Sequence, residues 1–391
     1  MNLNEVTYWV ALALMPKMWT KRKNQLYVEC FRHIPQYSLA DLFERRDVRS
    51  ELGVMPEEEL LFEASHDQLA NIAFMVEDLI SQGYEIIPLN SPDYPKTLKE
   101  NLKQGAPCVL YTKGNKSLLN TMTTAIVGSR NADNTSLEFT VNIARRATSE
   151  NKTVVSGFAK GVDRQALDAA IESHGKSIIV LPQGITTFAS GFRQYYQQIY
   201  QGLVTVISIF HPKAAWSKEL AMARNSIIYG LSNEIYAAQS DSNGGTWSGV
   251  IDGLRKGRKI YVRVPYSNEK NANLLLIQKG CIGVDIYGNV VEESLSGYKY
   301  KEISETHICS EPEGIYEKCV SEELFHDDFK NRILQLLTDK KMSKELLKTL
   351  NLDWSDSKMK KYLRSLPEVE EEKKSGKIFF FKKGYSDPTL F

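Results

Sequence analysis

The chain has 391 residues, enough for two or three domains, and its formal net charge of +1 excludes any functional argument from global basicity. Its 42% hydrophobic content is ordinary for a protein that buries a core. Five scattered cysteines without a Cys-x-x-Cys pair disfavour a zinc site or a disulfide framework and favour reduced thiols. No segment is apolar over the length of a membrane helix, and the short apolar run near the start is a poor signal peptide. We therefore expect a soluble cytoplasmic protein with no membrane partner.

The pattern divides the chain into four segments. Residues 1–75 carry apolar positions at helical spacing, with Ser38 and Ser65 as expected N-caps, and predict a helical domain for packing or dimerisation. Between residues 82 and 300, short apolar runs alternate with amphipathic segments, which predicts an open parallel sheet of the α/β class. Residues 301–321 are polar and irregular and predict a linker. Residues 322–391 predict three helices followed by a hairpin.

The strongest pattern lies between Ala125 and Asp163. It reads as strand, glycine turn, helix from about residue 136 to 149, strand and second glycine turn, the turns falling at residues 128–130 and 156–161. Both turns follow strands and lead toward helix N-termini, where backbone N–H groups and the helix dipole favour an anion. Glycine lets a phosphate approach the backbone, and Arg130 and Lys160 each place a cation in one turn. The paired turns predict a polyphosphate ligand, whereas the missing Gly-x-Gly-x-x-Gly disfavours an NAD site.

These turns resemble the signature turns of the DNA-processing protein A (DprA/Smf) family. The likeness rests on Gly128-Ser129-Arg130 and on Ser156-Gly157-Phe158-Ala159-Lys160-Gly161-Val162-Asp163. The segment Arg224-Asn225-Ser226-Ile227-Ile228 is similar to the family's Arg-Asn-Arg-Ile-Ile motif, and Gly244-Gly245-Thr246 matches its small-residue turn. The chain departs from the family pattern at Ser226, which replaces the second arginine, and at Leu167, which stands where histidine is usual.

The resemblance implies a Rossmann-like fold and single-stranded DNA binding in DNA processing, uptake or recombination. It also implies loading of a RecA-type recombinase and self-association, as a homodimer, through the sheet domain. Three helices and a hairpin after residue 322 resemble the winged helix that some members carry. There Lys358, Lys360, Lys361 and Arg364 are candidates to face a DNA groove, with a protein-interaction wing as the alternative. No cofactor or metal is expected.

A binding site built on these motifs is a phosphate track along the strand ends. Arg130, Lys160, Arg164 and Arg224 would supply its cations, unless they are solvated or paired with carboxylates. Phe158 or Trp247 would stack a base, unless it belongs to the core. The full set of expected nucleic-acid contacts is Gly128, Ser129, Arg130, Ser156, Gly157, Lys160, Gly161, Arg164, Arg224, Asn225, Gly244, Gly245 and Thr246.

No catalytic set is visible, so we expect a protein that is not an enzyme. His174 suits a helix end, His211 has no evident partner, and Asp163 suits a capping role at a helix start. The related phosphoribohydrolases place a glutamate soon after Gly-Gly-x-Gly-Thr, and none follows Gly244-Gly245-Thr246, which argues against glycosidic cleavage. Two alternatives remain. One is a nucleotide-sensing Rossmann-like protein, for which defence against foreign DNA is one compatible role, and the other is a protein-interaction scaffold.

Overall fold

A computed structural model describes residues 2–291 and, beyond them, residues 333–334, 336–337, 342–349, 356–366, 368–374 and 377–382. The chain forms two compact units, Met1–Ser321 and Glu322–Phe391. The linker predicted at residues 301–321 and most of the helix predicted at residues 325–337 lie outside the described residues. Within the described ranges, the search for a helix both long and apolar enough to cross a membrane finds none.

Six helices occupy the N-terminal part of the first unit. They are α1 Leu3–Leu14, α2 Thr20–Arg32, α3 Leu39–Glu44, α4 Arg46–Glu51, α5 Pro56–His66 and α6 Leu69–Ser81. Ser38 caps α3 as predicted, since its hydroxyl accepts from the Asp41 amide while the Asp41 carboxylate accepts from the Ser38 amide. The cap predicted at Ser65 is wrong, because this residue lies inside α5. The Asn24 side chain of α2 donates to the Ala106 carbonyl oxygen at 2.7 Å, which ties these helices to the sheet that follows.

Nine strands form one sheet in the described part of this unit. They are β1 Glu85–Pro88, β2 Val109–Gly114, β3 Thr123–Val127, β4 Thr153–Ser156, β5 Ser177–Val180, β6 Val204–Ser208, β7 Glu234–Ala237, β8 Ile260–Arg263 and β9 Ile282–Val284. Their spatial order is β1-β2-β6-β5-β4-β3-β7-β8-β9. The strands from β6 to β9 in this order are parallel, and β1 and β2 add an antiparallel edge. The predicted open, mostly parallel α/β sheet is confirmed.

Helices cover both faces of the sheet. They are α7 Lys96–Leu102, α8 Asn134–Ser149, α9 Val162–Glu172, α10 Ala189–Gln194, α11 Tyr196–Tyr200, α12 Lys218–Leu231, α13 Gly245–Arg255 and α14 Asn273–Gln278. The central strands β3, β4 and β5 are buried at every position, which explains their continuous β-branched and small apolar sequences. Phe139 and Ile143 of α8 pack with Ala166 of α9 against Ile126 and Val154 of the sheet.

The order of the strands reverses between β3 and β7. The chain winds outward from β3 through β4 and β5 to β6, and then returns to place β7 on the other side of β3. In open α/β sheets a crevice forms outside the carboxyl ends of the strands at such a switch point, and ligands bind there. The first glycine turn leaves β3 at this crevice, and the second leaves the neighbouring strand β4.

The described residues of the second unit include the helices Ser343–Thr349 and Asp356–Ser365 and a hairpin of β10 Val369–Lys374 and β11 Lys377–Lys382. Its apolar centre includes Leu346, Met359, Leu363 and Phe380. Lys360 pairs with Asp356 at 2.7 Å, and Arg364 pairs with Glu371 at 2.9 Å. Two of the four cations predicted to face DNA are therefore engaged by carboxylates. The winged helix itself stays a prediction.

Candidate functional site

The two glycine turns touch each other at the carboxyl edge of the sheet. Gly161 has φ +83°, and a Cβ at this position would lie 2.5 Å from the Ser129 carbonyl oxygen and 2.6 Å from that of Arg130. A Cβ on Gly128 would lie 2.6 Å from a methyl carbon of Val162, the first residue of α9. Both glycines are therefore required for the turns to pack against each other. The sequence analysis put each turn at a strand end, and the structure adds that the two turns touch each other.

Gly157 makes room for a buried arginine rather than for a ligand. A Cβ on Gly157 would lie 1.2 Å from Nη1 of Arg224, whose side chain extends from α12 beneath the second turn. The guanidinium is 4% exposed, donates to the Val180 carbonyl oxygen and lies 3.7 Å from the Asp163 carboxylate. The sequence pattern suggested that glycine here admits a phosphate. The structure differs because this space is occupied by Arg224.

Asp163 organises the second turn from inside the protein. Its carboxylate accepts hydrogen bonds from the backbone amides of Ala159 and Gly157 and faces Arg224. Burial raises the pKa of Asp163 above its ordinary value, while the Arg224 guanidinium and the two amides oppose that rise. Burial likewise lowers the pKa of Arg224, and Asp163 opposes that change. The pair holds the turn, and the Gly157 amide donates to Asp163 instead of facing solvent.

Two backbone amides at the first turn donate within the protein. The Ser129 amide donates to the Gln239 carbonyl oxygen across the switch point at 2.9 Å, and the Asn131 amide donates to the Ser129 hydroxyl. Asp133 is the N-cap of α8 and accepts from the Ser136 amide at 2.7 Å. A carboxylate therefore already compensates the positive end of this helix, which weakens the attraction of the helix end for an anion.

Arg130 is the cation of the first turn, and Lys160 is the corresponding cation of the second turn. Both are exposed, and neither forms an ion pair within residues 2–291 or the shorter described ranges. Arg164, one turn into α9, lies with its guanidinium carbon 3.7 Å from the Phe158 ring centroid and donates to the Gln194 side chain at 3.0 Å. Arg164 is thus held in place, whereas Arg130 and Lys160 are free to meet a ligand.

Two cavities adjoin these cations. One has a volume of about 260 Å³, and its lining includes Gly157, Phe188, Trp216 and Arg224. The other has a volume of about 590 Å³ and lies over Asn131, Gly161 and Arg164. Arg130 and Lys160 line both cavities. The arrangement provides two exposed cations that border both cavities, beside aromatic rings.

Aromatic side chains form one wall of the smaller cavity. Phe158, with φ +66°, packs edge-on against Phe188 and Tyr195 at centroid distances of 4.7 and 5.7 Å. Its ring belongs to this cluster, although its position in the cavity lining leaves an edge for a ligand. Trp216 is 51% exposed and has the Arg130 guanidinium 5.7 Å from its ring. Motif reasoning missed Trp216 and Phe188, since both lie outside the glycine turns and outside the segment at residues 224–228.

The remaining predicted contacts fall into two groups. The Ser156 hydroxyl is buried and donates to the Ile126 carbonyl oxygen, so its side chain serves the sheet. Asn225 of α12 donates to the Gly245 carbonyl oxygen at 3.3 Å and so joins α12 to the third turn. Gly244, with φ +94°, has open space around its Cα, and Thr246 lies in the first turn of α13. Neither cavity is lined by this third turn or by the half-buried Trp247.

The histidines considered at the sequence level have structural positions. His174 follows α9 with φ +57° and is exposed. The Nδ1 atom of His211 accepts a hydrogen bond from the Lys213 amide. Within the described residues, no cluster of three or more His, Cys, Asp or Glu side chains is arranged to hold a metal ion.

Fold and site together define an open, doubly wound α/β protein with paired basic turns at its switch point. The model of the family described as DNA recombination-mediator protein A matches residues 85–293, which is more than half of the chain. The chain belongs to this family. The resemblance first seen in the glycine turns is thereby confirmed.

Two relatives show how far the likeness extends. The DNA processing protein DprA of Bacillus subtilis is 27% identical over 223 residues, which cover 54% of this chain and 72% of that protein. The protein of the same name from Streptococcus pneumoniae is 30% identical over 168 residues, which cover 43% of this chain and 58% of that protein. Matches therefore span between about half and three-quarters of these relatives.

A solved structure supports the fold. The X-ray structure of DNA processing protein A from Streptococcus pneumoniae aligns with a TM-score of 0.58 and 22% sequence identity. The alignment covers 73% of this chain and 95% of that one. The aligned part, 73% of the chain, is longer than the sheet domain alone. The shared architecture therefore includes more than the strands and glycine turns.

Proposed function

We propose that this protein binds single-stranded DNA along the carboxyl edge of its sheet, as a member of a family that processes DNA. The observation that carries the proposal is the pair of exposed cations, Arg130 and Lys160, which line both cavities at the switch point. Anionic ligands are favoured there because neither charge forms a salt bridge in the described residues, although Arg130 also acts electrostatically on the buried Asp163 carboxylate. Family membership favours DNA, and the relatives from Bacillus subtilis and Streptococcus pneumoniae are both named DNA processing proteins.

A single strand suits this surface better than a duplex does. Two adjoining cavities that share the exposed cations Arg130 and Lys160 would accept successive phosphates of a bendable backbone, and the aromatic rings beside them would accept unpaired bases. The charge repeats along the strand whatever its sequence, so binding would be salt-dependent and sequence-tolerant. In this proposal Arg130 and Lys160 contact phosphates directly.

The other predicted contacts have supporting roles in the proposal. Arg224 and Asp163 hold the second turn, and Gly128, Gly157 and Gly161 let the turns pack. Arg164 fixes Phe158 and contributes charge at the edge of the larger cavity. Ser129 bridges to the end of β7, while Asn225 and the turn at Gly244-Gly245-Thr246 extend the surface beyond the cavities.

The test is binding of fluorescein-labelled oligo-dT to the full chain, followed by fluorescence anisotropy. Arg130→Ala/Lys160→Ala should lose most of the affinity. The matched control is Lys259→Ala/Lys279→Ala, which removes the same charge just before β8 and β9, at the opposite edge of the sheet. Failure of the wild type to bind at low salt, or equal losses in both double variants, would overturn the proposal.

The wider role follows the family in our proposal. The protein would act in DNA processing, uptake or recombination in the cytoplasm, load a RecA-type recombinase onto the bound strand and work as a homodimer without catalysing a reaction itself. Two measurements test this role. The first is the formation of recombinase filaments on DNA strands coated by a single-strand-binding protein, and the second is the mass of this protein by sedimentation. A stimulation that the Arg130→Ala/Lys160→Ala variant lacks would support loading through this surface.

A second candidate function is sensing of a small nucleotide. The observation that favours it is the smaller cavity, where Arg130 and Lys160 stand beside Phe158 and Trp216 in a space of about 260 Å³. Calorimetry with nucleoside monophosphates tests it. Saturable micromolar binding with no affinity for oligo-dT would favour sensing, and the reverse result would favour the DNA proposal.

A further inference from the structure

A long segment beside the site contains no acidic residue. Between Glu172 and Glu219 there is no Asp or Glu, although the chain has 48 of them among 391 residues. This segment includes β5, α10, α11 and β6, and it ends in the loop that carries Trp216. Its exposed Arg193 forms no ion pair within the described residues. The surface it builds lacks its own carboxylates and therefore does not repel a polyanion.

Helix α11 displays two stacked tyrosine rings on this surface. Tyr196 and Tyr200 are 66% and 83% exposed, and lie four residues apart on one side of the helix. Their ring centroids are 6.3 Å apart and their planes differ by only 15°. Two nearly parallel rings open to solvent present flat faces in a common orientation, which successive unpaired bases require for stacking.

Buried contacts join this helix pair to the second glycine turn. Tyr195, between α10 and α11, packs on Phe158 and donates from its hydroxyl to the Asp168 carboxylate at 2.7 Å. Gln194 accepts from Arg164 at 3.0 Å. Because Tyr196 directly follows Tyr195, the exposed pair begins next to the wall of the smaller cavity. The segment is therefore positioned by residues of the second turn and of α9, next to the proposed phosphate site.

We propose that Tyr196 and Tyr200 stack nucleobases of the strand whose phosphates bind at Arg130 and Lys160. This inference rests on the proposed function and adds a base-stacking surface to it. Exposed aromatic rings can also serve protein contacts. The absence of carboxylates, the exposed Arg193 and the continuity with Phe158 favour a nucleic-acid occupant over a second protein surface. The two tyrosines supply stacking without hydrogen-bond readout, so the contact tolerates any base sequence.

The experiment measures oligo-dT binding by anisotropy with three variants of the full chain. Tyr196→Ala/Tyr200→Ala should weaken binding at least about fivefold and leave the salt slope unchanged, because stacking releases no counterions. Tyr196→Phe/Tyr200→Phe, which keeps both rings, should bind as the wild type does. The control Phe31→Ala/Phe74→Ala removes two exposed rings from α2 and α6 and should also leave binding unchanged.

A strand of the same length built from abasic nucleotides separates the contribution of the phosphate contacts from that of base stacking. Wild type and Tyr196→Ala/Tyr200→Ala should bind this strand equally, since it offers phosphates without bases. Wild-type affinity of the alanine variant for oligo-dT would overturn the inference and leave the proposed function intact if Arg130→Ala/Lys160→Ala still loses binding. A dimer that dissociates in the alanine variant, seen by sedimentation, would instead make α11 an interface between copies and would also overturn it.

Discussion

Gly161 and Ser129 touch across the two glycine turns, so that a Cβ on Gly161 would stand 2.5 Å from the Ser129 carbonyl oxygen. The Val162 amide also points to this oxygen, at 3.4 Å. The two strand ends are thereby fixed relative to each other. The cations of the two turns, Arg130 and Lys160, consequently border the same cavities although the sequence separates them by a whole helix.

Gly161→Ala should reduce both stability and DNA affinity. The new methyl group has no space, and φ +83° is unfavourable for alanine. Gly257→Ala is the matched control, because Gly257 has φ +71° with nothing within 4 Å of the added Cβ. Urea unfolding should show a loss of about 1–2 kcal/mol for the control and a larger loss for Gly161→Ala. Equal losses, with unchanged DNA affinity, would show that the turns do not need this contact.

Arg224→Met should destabilise the protein by about 3–5 kcal/mol, because it leaves the buried Asp163 carboxylate without its cation. Asp163→Asn should cost a similar amount by stranding Arg224. The double variant should be more stable than the sum of the two losses predicts, as urea unfolding of all four proteins will show. Additive losses would contradict the pairing.

The salt dependence of DNA binding should separate phosphate contacts from buried support. Each phosphate neutralised on a single strand contributes about −0.7 to the slope of log K against log salt, so Arg130→Ala/Lys160→Ala should reduce its magnitude by about 1.4. Arg224→Met should lower affinity with the slope retained, because a buried arginine releases no counterions. If Arg224→Met changed the slope by about 0.7, the contribution of one phosphate, this guanidinium would be in direct contact with DNA.

Phe158 should be more easily replaced by glycine than by alanine. Both variants lose the ring contacts with Phe188 and Tyr195. Only the alanine variant retains the unfavourable energy of a residue with a Cβ at φ +66°. The glycine variant should therefore be more stable by about 1 kcal/mol. Phe192, inside α10, provides the control, since there glycine should be the worse replacement by about 1 kcal/mol. The same order of stabilities at both positions would contradict strain at Phe158.

The N-terminal helices should lose stability in acid through Glu58. Arg22 donates to both carboxylate oxygens of Glu58, at 2.8 and 2.9 Å, and these hydrogen bonds lower the pKa of Glu58. A lowered folded-state pKa gives stabilisation that is complete above the unfolded value of about 4.3 and disappears as pH falls through the folded value. Thermal unfolding from pH 7 to pH 3 should show Glu58→Gln less stable at neutral pH, with a shallower acid decline. Glu57→Gln, an exposed neighbour, should follow the wild type.

Much of the fold was predictable because its signals are local. Buried parallel strands need unbroken apolar runs, and each strand that feeds a crossover helix needs a turn, so β3, β4 and the residues 128–130 could be located directly. The N-cap at Ser38 follows from local hydrogen bonding, whereas Ser65 has the same residue type inside a helix. Residue type alone does not distinguish these two positions.

The functions of individual glycines and cations depended on distant partners. Gly157 reads as a phosphate-binding residue, but it accommodates Arg224, which comes from α12 and lies 67 positions later in the chain. Arg130, Lys160 and Arg224 look equivalent as sequence letters. Only packing makes the first two exposed and the third a buried partner of Asp163.

By itself, the sequence determined the alternation of strands and helices, the two basic turns at strand ends and the family that these turns resemble. These features could be predicted because hydrophobic periodicity and turn residues depend only on neighbouring positions in the chain. The tertiary structure alone decided that the turns touch, that Trp216 and the α10–α11 segment border the site, and which cations remain free. Those outcomes depend on contacts between residues far apart in the chain, where burial and the nearest opposite charge set what each side chain can do.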